Sequence, residues 1–196
     1  MSTALREEVD RLQQFTRRPC VSVFGLQKPR DEKPDDLRKK VEEVIGGVGS
    51  GTTMDDVDKF HRNGEFKDGE QEVIIRFKSH TVKENFFRAR KNQQLVRIYP
   101  SLTKQRKSLL YEARDLVKSY PQLKNPPVAV FGDVHGDLTI KFEKKTHRGL
   151  YAKFNSLEEL SSILEASEAC EGEENHGDEP FNVWKYDDVL GFKERE

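Results

Sequence analysis

Between Glu72 and Lys118 the spacing of apolar residues switches back and forth between strand and helix periods, and few folds accommodate that succession. EVIIRFK places Val73, Ile75 and Phe77 on one face and Glu72, Ile74 and Arg76 on the other, the mark of a half-buried strand. Thr81 and Glu84 then have capping-box spacing, and Val82, Phe86 and Ala89 share a helix face from which Arg88 and Lys91 look away. VRIY is a short strand. After Pro100 a helix is predicted from about Leu102 to Ser119 with two opposed stripes. Leu102, Leu109, Ala113, Leu116 and Val117 form one; Lys104, Lys107, Tyr111, Arg114 and Lys118 form the other.

Charge sharpens the picture. Val73 to Lys118 holds twelve Lys/Arg against three Asp/Glu, a local net of +9, although the whole chain sums to −1. The compensating acid lies at the other end, where Glu158 to Glu196 carries thirteen Asp/Glu and three Lys/Arg, a net of −10. Such segregation points to an anionic partner for the middle of the chain. A solvated helix face would explain a single basic stripe, but here the basic residues spread over two helices and two strands.

With 196 residues the chain has room for one or two small domains, and its 12 Phe allow modest cores. Charged residues make up 35% and mean hydropathy is −0.83, so part of the sequence is expected to be linker or tail. No apolar run approaches membrane-spanning length and no apolar signal region opens the chain, so no membrane partner is expected. Cys20 and Cys170 form no CxxC or Cys/His ligand spacing, which argues against a disulfide framework or a zinc site and for a reducing compartment, cytoplasmic or nuclear.

Upstream, residues Ser2 to Phe15 form a helical pattern in which Leu5, Val9 and Leu12 keep the 4-3 spacing of a coiled-coil seam. At most two heptads are present, too few to hold an oligomer together alone. CVSVFGL alternates Val21 and Val23 against Cys20, Ser22 and Phe24 as a strand. Pro34 at a first helical position, Asp35 and Asp36 in the first turn, and Leu37, Val41, Val44 and Ile45 at helical spacing predict a helix ending at Gly46-Gly47. VDKFHR is a second strand before an NGEFKDGE loop. The resulting order β-α-β-β-α-β is the ferredoxin-like pattern of RNA-recognition motifs, over residues 19–99. A small α+β unit is expected over residues 100–166, from the second basic helix, two strands in VAVFGDVHGDLTIKFEKK, a third in HRGLYAKF and a helix behind the Ser156/Glu159 capping box. Residues 1–18 are the separate N-terminal helix. Residues 167–196 are an acidic tail with a docking-like aromatic cluster at Phe181, Trp184 and Tyr186.

The run VIIRF, ENFFRARKN and VRIYPSLTKQRKSLLYEARDLVK, with VSVFGL, His61-Arg62 and the Arg88–Arg90 RAR, resembles the RNA-recognition-like and C-terminal domains of first-open-reading-frame proteins of LINE-type (non-LTR) retrotransposons. It is also similar in layout to the C-terminal region of the baculovirus few-polyhedra protein. The resemblance covers roughly residues 19–166 and implies an RNA-binding, chaperone-like protein, often trimeric through an upstream coiled coil. This chain departs from it in having only a coiled-coil stub and an added acidic tail.

The candidate nucleic-acid contacts are Arg62, Arg76, Lys78, Arg88, Arg90, Lys91, Arg97, Lys104, Arg106, Lys107, Tyr111 and Arg114. An RNA-recognition motif stacks bases on outward aromatics of its first and third strands, but Ser22, Glu72 and Ile74 take those positions here. Affinity is therefore expected from phosphate contacts, with Tyr111 or Tyr99 stacking, and selectivity is expected to be low. The basic stripe is expected to line a groove between the two units. Arg106 falls inside the apolar stripe, where a charge is costly unless it is paired, faces a groove or sends its head out to water. GDVHGD, Gly132 to Asp137, matches the first block of metallophosphoesterases, yet the further blocks are missing and the segment is also good hairpin-turn chemistry. Neither enzymatic activity nor a metal or cofactor is expected. The alternative is a protein-interaction module, viral or host, that uses the same fold without nucleic acid.

The acidic tail is expected to bind either the basic surface or another protein. About a dozen linker residues would give it an effective concentration in the millimolar range, enough for weak attraction to mask the basic surface. Removing residues 167–196 should then tighten RNA binding at low salt, with the gain shrinking as salt rises. Equal binding by the two chains at low salt would contradict masking.

Overall fold

A computed structural model describes residues 2–67, 70–120, 127–142 and 150–169. The chain is α+β and divides into two compact units, Met1–Thr103 with Val134–Gly136, and Lys104–Asp133 with Asp137–Glu196. No helix among the described residues is long and apolar enough to cross a membrane.

The first unit begins with α1, Thr3–Arg17, whose Ser2 hydroxyl accepts from the Leu5 amide. Strand β1, Cys20–Phe24, follows, then α2, Pro34–Val48. Pro34 needs no amide partner at this position, and the Asp36 carboxylate accepts from the Lys33 amide. Helix α2 runs two residues past the predicted Gly46 and stops at Gly49, whose φ of 67° is the left-handed conformation that ends helices. Strands β2, Val57–Lys67, and β3, Glu70–Phe77, pair antiparallel. The predicted NGEFKDGE loop is thus largely strand. Asn63 donates to Glu72 across the pair, and Gly64 at φ 75° absorbs an irregularity that lets the arms continue.

Helix α3, His80–Ala89, starts behind Ser79, two residues earlier than the Thr81 capping box implied. Its buried side is Lys83, Phe86 and Phe87, with Val82 and Ala89 only partly covered. Strand β4, Arg97–Pro100, completes a sheet of order β2-β3-β1-β4, with all three neighbouring pairs antiparallel. β1 and β2 are therefore parallel with β3 between them, and α2 connects them; β3 and β4 are parallel with β1 between them, and α3 connects those. One sheet face carries Val21, Val23, Val73, Ile75, Phe77 and Ile98 into a core with Val41, Val44, Ile45 and Phe86.

Helix α1 is attached by its polar side. Asp10 and Gln14 are buried; Gln14 Oε1 accepts from the Thr103 amide at 3.0 Å, its Nε2 donates to the Ser101 carbonyl at 3.0 Å, and the Thr103 hydroxyl donates to Asp10. Leu5, Val9, Leu12 and Phe15, the predicted seam and its extension, are exposed.

The second unit contains α4, Lys104–Lys118, a three-stranded antiparallel sheet of β5, Pro127–Gly132, β6, Leu138–Phe142, and β7, Leu150–Lys153, and α5, Leu157–Ala169. Helix α4 buries Leu110 and Ala113, so its inward stripe is rotated from the one predicted, with Leu109, Leu116 and Val117 at its margins. Leu102 precedes the helix. The Ser156/Glu159 capping box forms, Glu159 N–H donating to Ser156 and Asn155 N–H to Glu159. The acidic aromatic segment expected at Phe181, Trp184 and Tyr186 lies outside the described residues.

A charge cluster ties β2 to the loop before α2. Arg62 places all five donors: two on Glu32, and one each on the carbonyls of Leu26, Gln27 and Gln71. Lys40 adds a 2.8 Å ion pair to Glu32, whose side chain is 6% exposed. Hydrogen bonding from Arg62, opposed by burial and helped by Lys40, holds the Glu32 carboxyl at about 2. A carboxyl depressed on folding stabilises the fold above its unfolded pKa of about 4.3, and that stability is lost as pH falls toward 2. The contribution is on the order of 3 kcal/mol. Denaturant unfolding between pH 2 and 5 should show a steeper loss in the wild type than in Glu32→Gln, which should already be weakened at pH 7. Parallel pH profiles would show that Glu32 carries no such charge pairing.

Candidate nucleic-acid interface

Paired residues in antiparallel strands share a face, so the registers define the sheet's other side. It carries Cys20, Ser22 and Phe24 from β1, Arg97 and Tyr99 from β4, Glu72, Ile74 and Arg76 from β3, and Lys59, His61 and Asn63 from β2. Phe24 and Tyr99 meet edge to face, with ring centroids 5.9 Å apart at 66°, and Tyr99 is 48% exposed. Arg97 is exposed beside Phe24. Two strands away, Arg76 forms a 3.3 Å ion pair with Asp58, both about half exposed, while Lys59 and His61 are exposed. The field of these cations reaches Cys20. Burial pushes its thiol up, and Arg76, Arg17, Lys83 and Lys59 offset this only in part.

Ser22, Glu72 and Ile74, predicted as the outward positions where stacking would fail, are buried and present no surface to a ligand. The aromatic surface lies instead at the β1/β4 side of the sheet. Its signal was present in the alternation of CVSVF, which puts Phe24 on the side opposite Val21 and Val23; what sequence could not supply was that β4, and so Tyr99, is β1's neighbour.

The other predicted contacts fall into two groups. Some cations are already engaged within the protein. Arg62 has no donor left for a phosphate. Arg90 lies 3.7 Å over the Phe87 ring and donates to the Phe87 carbonyl, and burial lowers its pKa. Arg106 is 13% exposed and pairs with Asp137 at 3.1 Å. That pairing answers the cost of a charge in the apolar stripe. Burial raises the Asp137 carboxyl, but Lys153 and Arg106 outweigh it and hold the group below its usual range. Arg114 donates to the Val130 carbonyl at 3.1 Å while remaining exposed. A second group is open to solvent. Lys78, Arg88 and Lys91 are exposed in the first unit, Arg88 near Glu84 at 3.7 Å. In the second, Lys104 and Tyr111 are exposed, Tyr111 by 63%, and Lys107 is half-buried.

GDVHGD forms the β5/β6 turn. Asp133 and Asp137 close it by hydrogen bonds of 2.8 and 2.9 Å, with Gly136 at φ 84°. Lys153 contacts both carboxylates, at 3.3 and 2.9 Å, so Asp133, the acid that would ligate metal in a phosphoesterase, is paired with a cation. His135, for which sequence spacing offered no co-ligand, lies in the first unit with His80 and Glu84, ligand atoms within 4.8 Å of one another.

No protein-family model matches the chain, and no curated protein matches its sequence.

Proposed function

We propose that this protein binds RNA or single-stranded nucleic acid with low sequence selectivity, in a chaperone-like manner, as in LINE retrotransposon ribonucleoproteins, within the cytoplasm or nucleus. In this reading the first unit is a ferredoxin-like, RNA-recognition-type domain and the second a small α+β C-terminal domain. The order β2-β3-β1-β4 with α2 and α3 as crossovers supports that assignment. The observation that carries the function is the Phe24–Tyr99 pair on the sheet face opposite the α2/α3 core, flanked by Arg97 and, across the sheet, Lys59 and Arg76. An exposed aromatic face accepts any base by stacking, and the cations take phosphate, so the surface favours a strand without demanding a sequence. The exposed side chains of Lys78, Lys91 and Lys104 add salt-dependent attraction.

Stacking on one aromatic contributes about 1–3 kcal/mol per base. In fluorescence anisotropy with a single-stranded RNA, Tyr99→Ala and Phe24→Ala should each weaken binding about tenfold. Tyr99→Phe should bind nearly as the wild type, and Arg97→Ala should lower the slope of log affinity against log salt by about 0.7. Undiminished binding by the Phe24→Ala/Tyr99→Ala double variant would overturn the sheet face as the binding surface.

Self-association belongs to the same reading. Polar anchoring of α1 through Asp10 and Gln14 turns Leu5, Val9, Leu12 and Phe15 outward at heptad-like spacing, which suits a second copy of the same helix. Anchoring also removes much of the ordering cost that makes short helices poor partners. Sedimentation should give a mass that rises with concentration for the wild type and stays monomeric for Leu5→Ser/Leu12→Ser. The same mass for both chains at every concentration would contradict association through this seam.

A further inference from the structure

Within the first unit, three side chains distant in sequence converge. His80 opens α3, and Glu84 stands one turn later on the same face. His135 is the middle of the tripeptide Val134–Gly136, whose Val134 is 2% exposed in the unit's core. The tripeptide is fixed from several sides. Lys83, itself buried, donates to the Val134 carbonyl, and Gln14 donates to the His135 carbonyl at 3.4 Å. Gly136 has a φ of +84°, and a Cβ there would come within 2.8 Å of the Gln14 amide carbon. His135 is therefore presented by a constrained backbone rather than by chance.

His80 Nδ1 lies 3.1 Å from Glu84 Oε1, and His135 Nδ1 lies 3.7 Å from the same oxygen. The imidazoles stack, with centroids 5.3 Å apart and planes 12° from parallel. Glu84 Oε2 is turned toward Arg88 at 3.7 Å, which orients the carboxylate so that Oε1 faces both rings. The other nitrogen of His80, Nε2, is buried with no hydrogen-bond partner.

We infer that His80, Glu84 and His135 bind a divalent first-row transition cation such as Zn²⁺. Two imidazoles and one carboxylate are the donors such ions prefer, whereas Mg²⁺ and Ca²⁺ call for shells of oxygen. Tetrahedral zinc with bonds of about 2.0–2.2 Å sets its ligand atoms roughly 3.3–3.5 Å apart. The distances of 3.1 and 3.7 Å bracket that range, and no pair exceeds 4.8 Å, so side-chain rotation alone closes the site. Three protein ligands leave one position for water. Bound zinc would clamp the Val134–Gly136 tripeptide to the first turn of α3.

This inference goes beyond nucleic-acid binding and is tested without nucleic acid. Zn²⁺ is titrated calorimetrically into the full chain in non-chelating buffer, and Co²⁺ is titrated in parallel for its visible d–d absorption. One equivalent per chain should bind with a Kd of about 10 µM or tighter. Co²⁺ should give intense tetrahedral bands, and Zn²⁺ should raise Tm in a manner reversed by EDTA. His135→Ala and Glu84→Gln should each weaken binding at least tenfold, with His61→Ala, exposed on β2, as the unchanged control; His135→Gln serves where circular dichroism shows that the alanine variant is misfolded. No binding up to about 100 µM Zn²⁺, or unaltered binding by a folded His135 variant, would overturn the site.

Discussion

Everything in the first unit hangs on the pairing of β1 with two neighbours at once. Val21 and Val23 are fully buried, and their backbone joins β3 on one edge and β4 on the other. A strand's side-chain period is two, so a slip of one residue would turn both valines outward and bring Ser22 and Phe24 into the core. The burial of Val21 and Val23 therefore also fixes Phe24 on the opposite face, beside Tyr99. The same registers place Arg97 and, across the sheet, Arg76 and Lys59 around it.

Local charge is a poor measure of the charge available to a partner. The stretch from Val73 to Lys118 has a net of +9, yet several of its cations act as internal braces. Lys83 is spent on the Val134 carbonyl, Arg90 on Phe87, and Arg106 on Asp137. Arg62, just upstream, is held by Glu32 and three carbonyls. Guanidinium suits this role because its five donors lie in a fixed fork that can satisfy several acceptors at once. Lys78, Arg88, Lys91, Arg97, Lys104, Arg114 and Lys118 stay exposed, near strand ends and on helix faces.

Element identities were legible because each rested on a local period or cap. β1, α2 and α5 follow their alternation, their Pro34 start and their Ser156/Glu159 box. Errors arose where long-range pairing overrode local signals. Gly64 suggested a turn, but pairing with β3 carries β2 on to Lys67. Helical spacing put Leu109 in the inward stripe of α4, but packing chose Leu110. The site was less legible than the fold. Arg62 gave no hint that Glu32, thirty positions earlier, would occupy it, and His135 gave none that His80 and Glu84 would stand beside it. No spacing rule connects residues that meet only through tertiary structure.

The central claim is that a nucleic-acid strand stacks at Phe24 and Tyr99, on the β1/β4 side of the sheet face opposite the core. Photocrosslinking with a 4-thiouridine-substituted single-stranded RNA, followed by mass spectrometric mapping on the full chain, locates bases directly. The account predicts adducts concentrated on Cys20–Phe24 and Arg97–Pro100, lost in excess unlabelled RNA. Adducts confined to α2, the core-side surface of α3 or the second unit, with none on β1 and β4, would contradict it.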